Sequence, residues 1–282
     1  VLAMTLTSGV FIFMLAFQLG SYDNMKTQSL SVLDGFGQFQ HPEFLDVPSL
    51  RHSFNIPKQL ENQVGQLPGL VASGYRTQAF GLLSAGDLNQ GALVLGVQPL
   101  NEPKLSTLPN LIQQGRFLNA EDSNHIVIGE ALAQLLDVNV GDEIQLLGQD
   151  KDGSLAAELF TLVGIFRSGT KELDRQLTLV PFDHAQTLFA LPNQAHQFVL
   201  VTQPFQQVET LTPQLQQLAA DFGLAYRDWS QLQPGVAQGI KLDFYSGFIW
   251  YIAILFIVVL ILFNTLLMSA LEREREFGLM LS

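Results

Sequence analysis

Trp250-Tyr251-Ile252-Ala253-Ile254-Leu255-Phe256-Ile257-Val258-Val259-Leu260-Ile261-Leu262-Phe263 stands inside a run of 28 residues, Phe244 to Leu271, that carries no charge. At 1.5 Å per residue the run makes a helix of about 42 Å, longer than a ~30 Å hydrocarbon core, so it is expected to cross a membrane with tilt or overhang. Tyr245, Trp250 and Tyr251 cluster at its start, where interfacial aromatics sit. Arg273 and Arg275 follow the run and Lys241 precedes it, which votes for a cytoplasmic Glu272 onward. Asn264 lies near the far end, and its expected role is helix–helix hydrogen bonding within the membrane rather than ion passage.

A second charge-free block, Val1 to Tyr22, contains Val10-Phe11-Ile12-Phe13-Met14-Leu15-Ala16-Phe17 and reads as another span. A cleavable signal peptide would need a basic n-region, and no Lys or Arg precedes Lys26. The missing initiator Met and basic flank are those expected of a fragment cut just ahead of a span. These two blocks account for the low charge content, 14% of 282 residues against about 25% in soluble domains. Residues 23–243 hold 23 acidic and 12 basic side chains without a basic stripe, which excludes nucleic acid as a partner. Cysteine is absent, so no disulfide framework, thiolate metal site or Cys nucleophile exists.

Between the spans, residues 23–243 are expected to form one α+β domain of two subdomains, giving a membrane protein with α-helical transmembrane segments around it. The first span should continue as a helix to about Leu33, followed by a strand at Phe36–Gln40. Pro57 opens a helix bearing Ile56, Leu60, Val64 and Leu67, and Pro68-Gly69 ends it before an apolar strand at Leu70–Phe80. A similar order recurs later. Gln197–Val201 reads as a strand, Val208, Leu211, Leu215, Leu218 and Phe222 as one helix face, and Leu224–Arg227 as a strand after Gly223. These two β-α-β parts, about 34–110 and 192–235, suggest a pseudo-repeat. A β-rich insertion, about 111–191, separates them, with strands at Ile126–Ile128, Glu143–Leu147, Phe160–Phe166 and Leu177–Pro181. Helices are expected there at Glu130–Leu136 and Phe182–Phe189.

No catalytic chemistry emerges. There is no phosphate-binding Gly-rich loop of either common type. His41, His52, His125, His184 and His196 lack metal-ligand spacing, so no metal site is expected. Ser168-Gly169-Thr170-Lys171 fits S-x-x-K but lacks the companion S-D-N and K-T-G motifs. Glu121/Asp122 and Asp142/Glu143 are neighbours that point different ways, and read as loop and turn residues. No catalytic residue, cofactor site or enzymatic activity is expected.

Glu272-Arg273-Glu274-Arg275-Glu276-Phe277-Gly278 resembles the E-R-x-x-E-[FI]-G segment of ABC-transporter permeases of the MacB/FtsX-like superfamily. Leu95-Gly96-Val97-Gln98-Pro99 is similar to that family's G-[VI]-[DN]-P element, and Gly115-Arg116-Phe117 to its G-R-[FY] element. Ile126 to Ala133, followed by Val138-Asn139-Val140-Gly141-Asp142, resembles its helix-to-hairpin passage, and Thr161 to Phe166 the strand beyond. Order and spacing of these motifs cover nearly the whole chain.

The resemblance implies a multi-pass protein of the bacterial inner membrane, with transmembrane helix 1 at 1–22, a periplasmic domain at 23–243 and transmembrane helix 2 at 244–271. A coupling segment then begins at 272–282. Family members have four spans, so two more are expected after Ser282. The lipoprotein-releasing (LolC/LolE-like) branch or an uncharacterised relative is favoured, since no fused ATPase is visible within these 282 residues, with what lies ahead of Val1 left open. The implied partners are a cytoplasmic ABC ATPase that carries the ATP and Mg, a second or homologous permease copy, membrane lipid and a periplasmic client or acceptor. Glu272, Arg273, Glu276, Phe277 and Gly278 would seat on the ATPase. Phe36, Phe39 and Phe44 are candidates for client contact, with core or interface packing as their other reading. Two further functions stay open: an FtsX-like regulator of a periplasmic cell-wall hydrolase, and a two-span sensor, which the Glu272–Gly278 segment opposes.

Overall fold

The computed structural model describes the backbone from Leu2 to Met280 and the side chains of residues 8–271. The chain begins with α1 (Leu2–Val32), β1 (Gly37–Gln40), β2 (Phe54–Asn55), α2 (Lys58–Val64), β3 (Leu70–Ala85) and β4 (Leu88–Val97). There follow α3 (Glu102–Leu105), β5 (Ile112–Gly115), β6 (His125–Gly129), α4 (Glu130–Leu136), β7 (Glu143–Gln149) and β8 (Leu155–Phe166). Next come α5 (Lys171–Gln176), β9 (Leu177–Pro181), α6 (Phe182–Leu188), β10 (Gln194–Ala195) and β11 (Gln197–Thr202). The last elements are α7 (Gln206–Asp221), β12 (Ala225–Asp228), α8 (Trp229–Leu232) and α9 (Pro234–Met280). Thr27–Gln233 form one compact unit, and α1 up to Lys26 forms another with α9.

Within Thr27–Gln233 the two β-α-β parts interlock. Strand order runs β12-β1-β11-β3, and each neighbouring pair is antiparallel. β11 therefore fills the gap between β1 and β3, and β1 fills the gap between β11 and β12. This is the split β-α-β arrangement of ferredoxin-like folds, in which neither unit is complete alone. Leu60 and Val64 of α2 and Val208, Leu211, Leu215 and Ala219 of α7 bury one stripe each. They join Phe39, Tyr75, Phe198 and Tyr226 from the strands in one apolar cluster. The Tyr75 and Phe198 rings stack at 4.3 Å between centroids.

The β-rich middle of the chain is a closed structure. β3 pairs with β4, β4 with β9, β9 with β6, β6 with β8, β8 with β7, and β7 returns to β3. Six strands thus complete a circuit without a free edge, which removes the edge-pairing hazard of an open sheet. Ala79, Leu83, Val94, Ile126, Ile128, Ile144, Leu146, Phe160 and Leu162 fill its inside, with Leu132, Leu136 and Phe189 from α4 and the end of α6. Residues of alternate parity face outward. Phe80, Leu82, Leu155 and Leu159 are exposed there, at 63%, 40%, 77% and 49%.

β3 belongs to both halves. Leu70–Arg76 pair with β11, whereas Gly81–Ser84 pair with β7, and β4 lines the opposite edge from Arg76 to Ala85. Arg76 stands at the crossover and is fully buried. Its Nε and Nη2 donate to the two carboxylate oxygens of Glu102, at 3.1 and 2.5 Å, and its Nη1 donates to the Leu33 carbonyl at 2.5 Å. Glu102 is also fully buried, and the Ser106 hydroxyl donates to it at 2.6 Å. His196 is the other buried polar anchor here. Its Nδ1 accepts from the Gln78 backbone N–H at 3.0 Å and its Nε2 faces the Leu50 carbonyl at 3.4 Å.

Two consequences are measurable on the full chain in detergent. Arg76→Met strands the Glu102 carboxylate in the interior and should cost about 3–5 kcal/mol in denaturant unfolding, whereas Arg76→Met with Glu102→Leu should recover most of the loss. Burial pushes the His196 imidazole down to about 4, so the folded chain refuses a proton that the unfolded chain accepts below its ordinary value near 6.5. Stability is therefore whole above that value and falls as pH drops toward 4, by up to roughly 3 kcal/mol. His196→Asn should flatten this slope in unfolding midpoints measured across that window.

Candidate functional site

The chain enters and leaves the folded domain at one place. The last turn of α1 stops at Val32, and Gly35 turns the backbone at φ +69° toward β1. A Cβ at Gly35 would lie 2.3 Å from Cγ1 of Val199, so the left-handed turn and the close approach both require glycine. Backbone bonds then fix the segment: Gly35 N–H to the Leu30 carbonyl, Phe36 N–H to Leu200, and Thr107 N–H to Ser31, at 2.8–3.0 Å. Arg76 holds the Leu33 carbonyl from the sheet side, and the Gln38 amide donates to the Asp34 carbonyl at 2.7 Å. The Gln233 side-chain amide, one residue before α9, donates to the Asp34 carboxylate. Burial raises the Asp34 carboxyl above its usual range, against the Gln233 hydrogen bond and the Arg76 charge, which pull it down.

A sequence reading singles out neither Arg76 nor Glu102. The signal was present, because a lone arginine inside the apolar stretch Leu70–Phe80 must find a buried acid or remain unpaired.

The aromatic residues expected to contact a client are placed differently. Phe36 and Phe39 are buried at 7% and 0% in the α2/α7 cluster, where Phe36 packs edge-on to Phe205 at 5.0 Å. Phe44, at 3% exposure, packs against the His196 ring at 5.1 Å. All three are core residues, which corrects their assignment to client contact. All four residues of β1 are buried, so neither of its faces reaches solvent. The accessible apolar side chains lie instead on the outside of the barrel. There a cleft of about 710 Å³ is lined by Phe80 and Leu82 of β3, Leu147 of β7, and Ser49, Leu50 and Arg51 of the loop after β1.

Among the described residues, Pro234–Leu271 is the one helix long and apolar enough to cross a membrane. The expected first span, 1–22, begins in residues whose side chains are outside the description. Within the helical unit, Gln18 and Tyr22 of α1 both donate to Asp243 of α9, at 3.1 and 2.6 Å, and the Tyr251 hydroxyl donates to Gln18. Phe11 meets Tyr251 edge-on at 5.4 Å. Asn264 is exposed on α9 and, among the described residues, has no hydrogen-bond partner. Glu272, Arg273, Glu276, Phe277 and Gly278 continue the α9 backbone, but their side chains lie outside the described residues.

The acidic pairs do local structural work. Asp122 takes a bidentate ion pair from Arg116 and caps the Asn119 N–H, and Arg116 holds its carboxyl below the usual range. Asp142 accepts from the Asn139 N–H at 2.7 Å. The Ser168 hydroxyl donates to the Thr170 carbonyl and accepts from the Thr170 N–H, while the Ser168 N–H donates to Asp174 at 2.7 Å, so these bonds fold the loop.

A family model described as the MacB-like periplasmic core domain matches residues 1–218. The lipoprotein-releasing system transmembrane protein LolC of Neisseria meningitidis serogroup B is 23% identical over 89% of this chain and 63% of its own length. LolE of Haemophilus influenzae, named likewise, is 26% identical over 85% of this chain and 59% of its own. The chain thus spans about 60% of the length of these curated relatives. Among solved structures, the periplasmic region of MacB from Actinobacillus actinomycetemcomitans aligns with a TM-score of 0.49 and 15% identity, covering 72% of this chain and 92% of that one. The extracellular domain of the transporter YknZ from Gram-positive bacteria aligns with the same score and identity, covering 68% and 98%. The chain belongs to the MacB-like periplasmic core domain family.

Proposed function

We propose that the chain is part of an ABC-transporter permease subunit in a bacterial inner membrane, with Thr27–Gln233 in the periplasm. In this reading ATP is bound and hydrolysed on a separate cytoplasmic ATPase, and the helices carry its motion to the periplasmic domain. That domain, with a second permease copy, extracts or exports a lipoprotein-like or otherwise hydrophobic client. Family membership supports the class, and the names of the relatives point to lipoprotein release.

One observation carries the mechanical part. α9 runs unbroken for 47 residues from the Gln233 junction to Met280, about 70 Å at 1.5 Å per residue. A continuous helix resists bending far better than a hinged one, so it suits transmission of a displacement along its axis. Asn264 would then serve in packing against further helices. The Glu272–Gly278 segment would be the ATPase contact, with Arg273 and Glu276 spaced i,i+3 on one helical face. The accessible Phe80, Leu82, Leu155 and Leu159 replace the buried phenylalanines as the candidate surface for a client or acceptor. A regulator of a cell-wall hydrolase would use the same lever without a cargo. Depletion separates the two: client retained in the inner membrane supports release, and a cell-wall defect with normal client traffic supports regulation.

Two sets of variants test the lever. Arg273→Glu or Glu276→Lys should lower client release at least tenfold while the subunit still folds and inserts, measured as release from spheroplasts beside ATPase activity of the purified complex. Unchanged release would remove the coupling assignment. Two glycines inserted between Gln233 and Pro234 should likewise uncouple ATP turnover from release without loss of ATPase binding.

A further inference from the structure

The loop from β1 to β2 gathers two histidines and a carboxylate that no part of the transport reading uses. His41, Glu43 and His52 each bring a ligand-competent atom within 4.8 Å of the others. The loop that carries them is fixed. Phe44 plugs it into the interior, the Phe44 N–H bonds to the His41 carbonyl and the Val47 N–H to the Glu43 carbonyl, both at 3.0 Å.

The His52 imidazole is oriented as a ligand requires. His52 Nδ1 lies 2.8 Å from the Val47 carbonyl, which can only accept, so Nδ1 carries a proton and Nε2 is the atom left for a ligand bond. A backbone carbonyl on the far nitrogen is the usual support of a metal-bound histidine. His52 Nε2 then faces the Glu43 carboxylate at 3.2 Å. The His41 ring lies parallel to that of His52, 5.0 Å away and 6° off coplanar orientation, and takes only a 3.3 Å contact from the Glu43 N–H. Two bonds of about 2.0–2.1 Å in tetrahedral geometry place ligand atoms roughly 3.4 Å apart. The His52–Glu43 spacing already meets this, and a ligand-competent atom of His41 lies within 4.8 Å of both.

We propose that His41, Glu43 and His52 form a three-ligand site for a divalent transition metal, with zinc the ion whose ligand preference and geometry it fits. Two imidazoles and one carboxylate favour zinc over the all-oxygen shells of calcium or magnesium, and a fourth position is left to water or an incoming group. A bound ion would tie the start of the loop to His52, next to the Ser49–Arg51 wall of the cleft beside the barrel.

Calorimetric titration of the full chain in detergent, free of any histidine tag, with zinc chloride tests the site. One ion per chain is expected, with affinity weakened at least tenfold in His41→Ala and His52→Ala and also reduced in Glu43→Gln. Glu43 is largely exposed, so its variant should melt as the parent does without metal and reports on binding alone. Cobalt should give a visible d–d absorption that His52→Ala abolishes. Absence of stoichiometric zinc binding, or equal affinity in the parent and all three variants, overturns the proposal.

Discussion

The Arg76 guanidinium is the constraint around which the domain is arranged. An arginine cannot shed its charge, so its burial at the crossover of β3 is tolerable only if its donors find acceptors. The acceptors come from the turn after α1 and from α3, segments far apart in sequence. Satisfying them fixes the helix exit, the ferredoxin-like half and the barrel to a single strand. Such a pair adds little net stability over apolar packing, because desolvating two charges consumes most of the Coulombic gain. Its value is selective: a register slip of β3 by one residue would turn the guanidinium to the other face and strand both charges.

The motifs that carry the family resemblance have a steric basis. Gly115 and Gly164 stand opposite each other in the β5–β8 pair. A Cβ at Gly115 would lie 2.1 Å from the Val163 carbonyl oxygen, and one at Gly164 would lie 2.1 Å from that of Arg116. Both obstacles are backbone atoms that cannot swing aside. The G-R-F and V-G-I stretches are therefore legible because close backbone approach leaves glycine as the one residue that fits. Between them Arg116 reaches Asp122, so one motif closes a loop as well as a strand pair.

How much of the fold the sequence reveals depends on how local the determining physics is. α4 and β9 fall at the residues that hydrophobic spacing indicates, since the apolar period and the flanking Gly129 and Phe182 are local signals. The interlocked β-α-β pair is legible as a repeated order of elements, though its strand order is not. Closure of the barrel is invisible, because β7 meets β3 across a long separation and each strand alternates like any half-buried strand. Phe36, Phe39 and Phe44 fail as surface candidates for a related reason: an aromatic gives the same sequence signal in a core as in an exposed patch. The His41–Glu43–His52 grouping escapes spacing rules because stacking, and not a helical or hairpin interval, brings the rings together.

The Asp34–Gln233 bond closes the domain by joining its first and last segments. Residue 34 follows α1 and residue 233 precedes α9, so the two helices enter the folded domain at points tied to each other by one hydrogen bond. Asp34 is continuous with Leu33, whose carbonyl Arg76 holds, and Arg76 sits between β11 and β4 in the middle of the sheet. The entry to and exit from Thr27–Gln233 thus share one corner, which Arg76 ties to the middle of the sheet. Closed barrels and fully paired buried charges resist internal rearrangement most strongly, and this domain contains both.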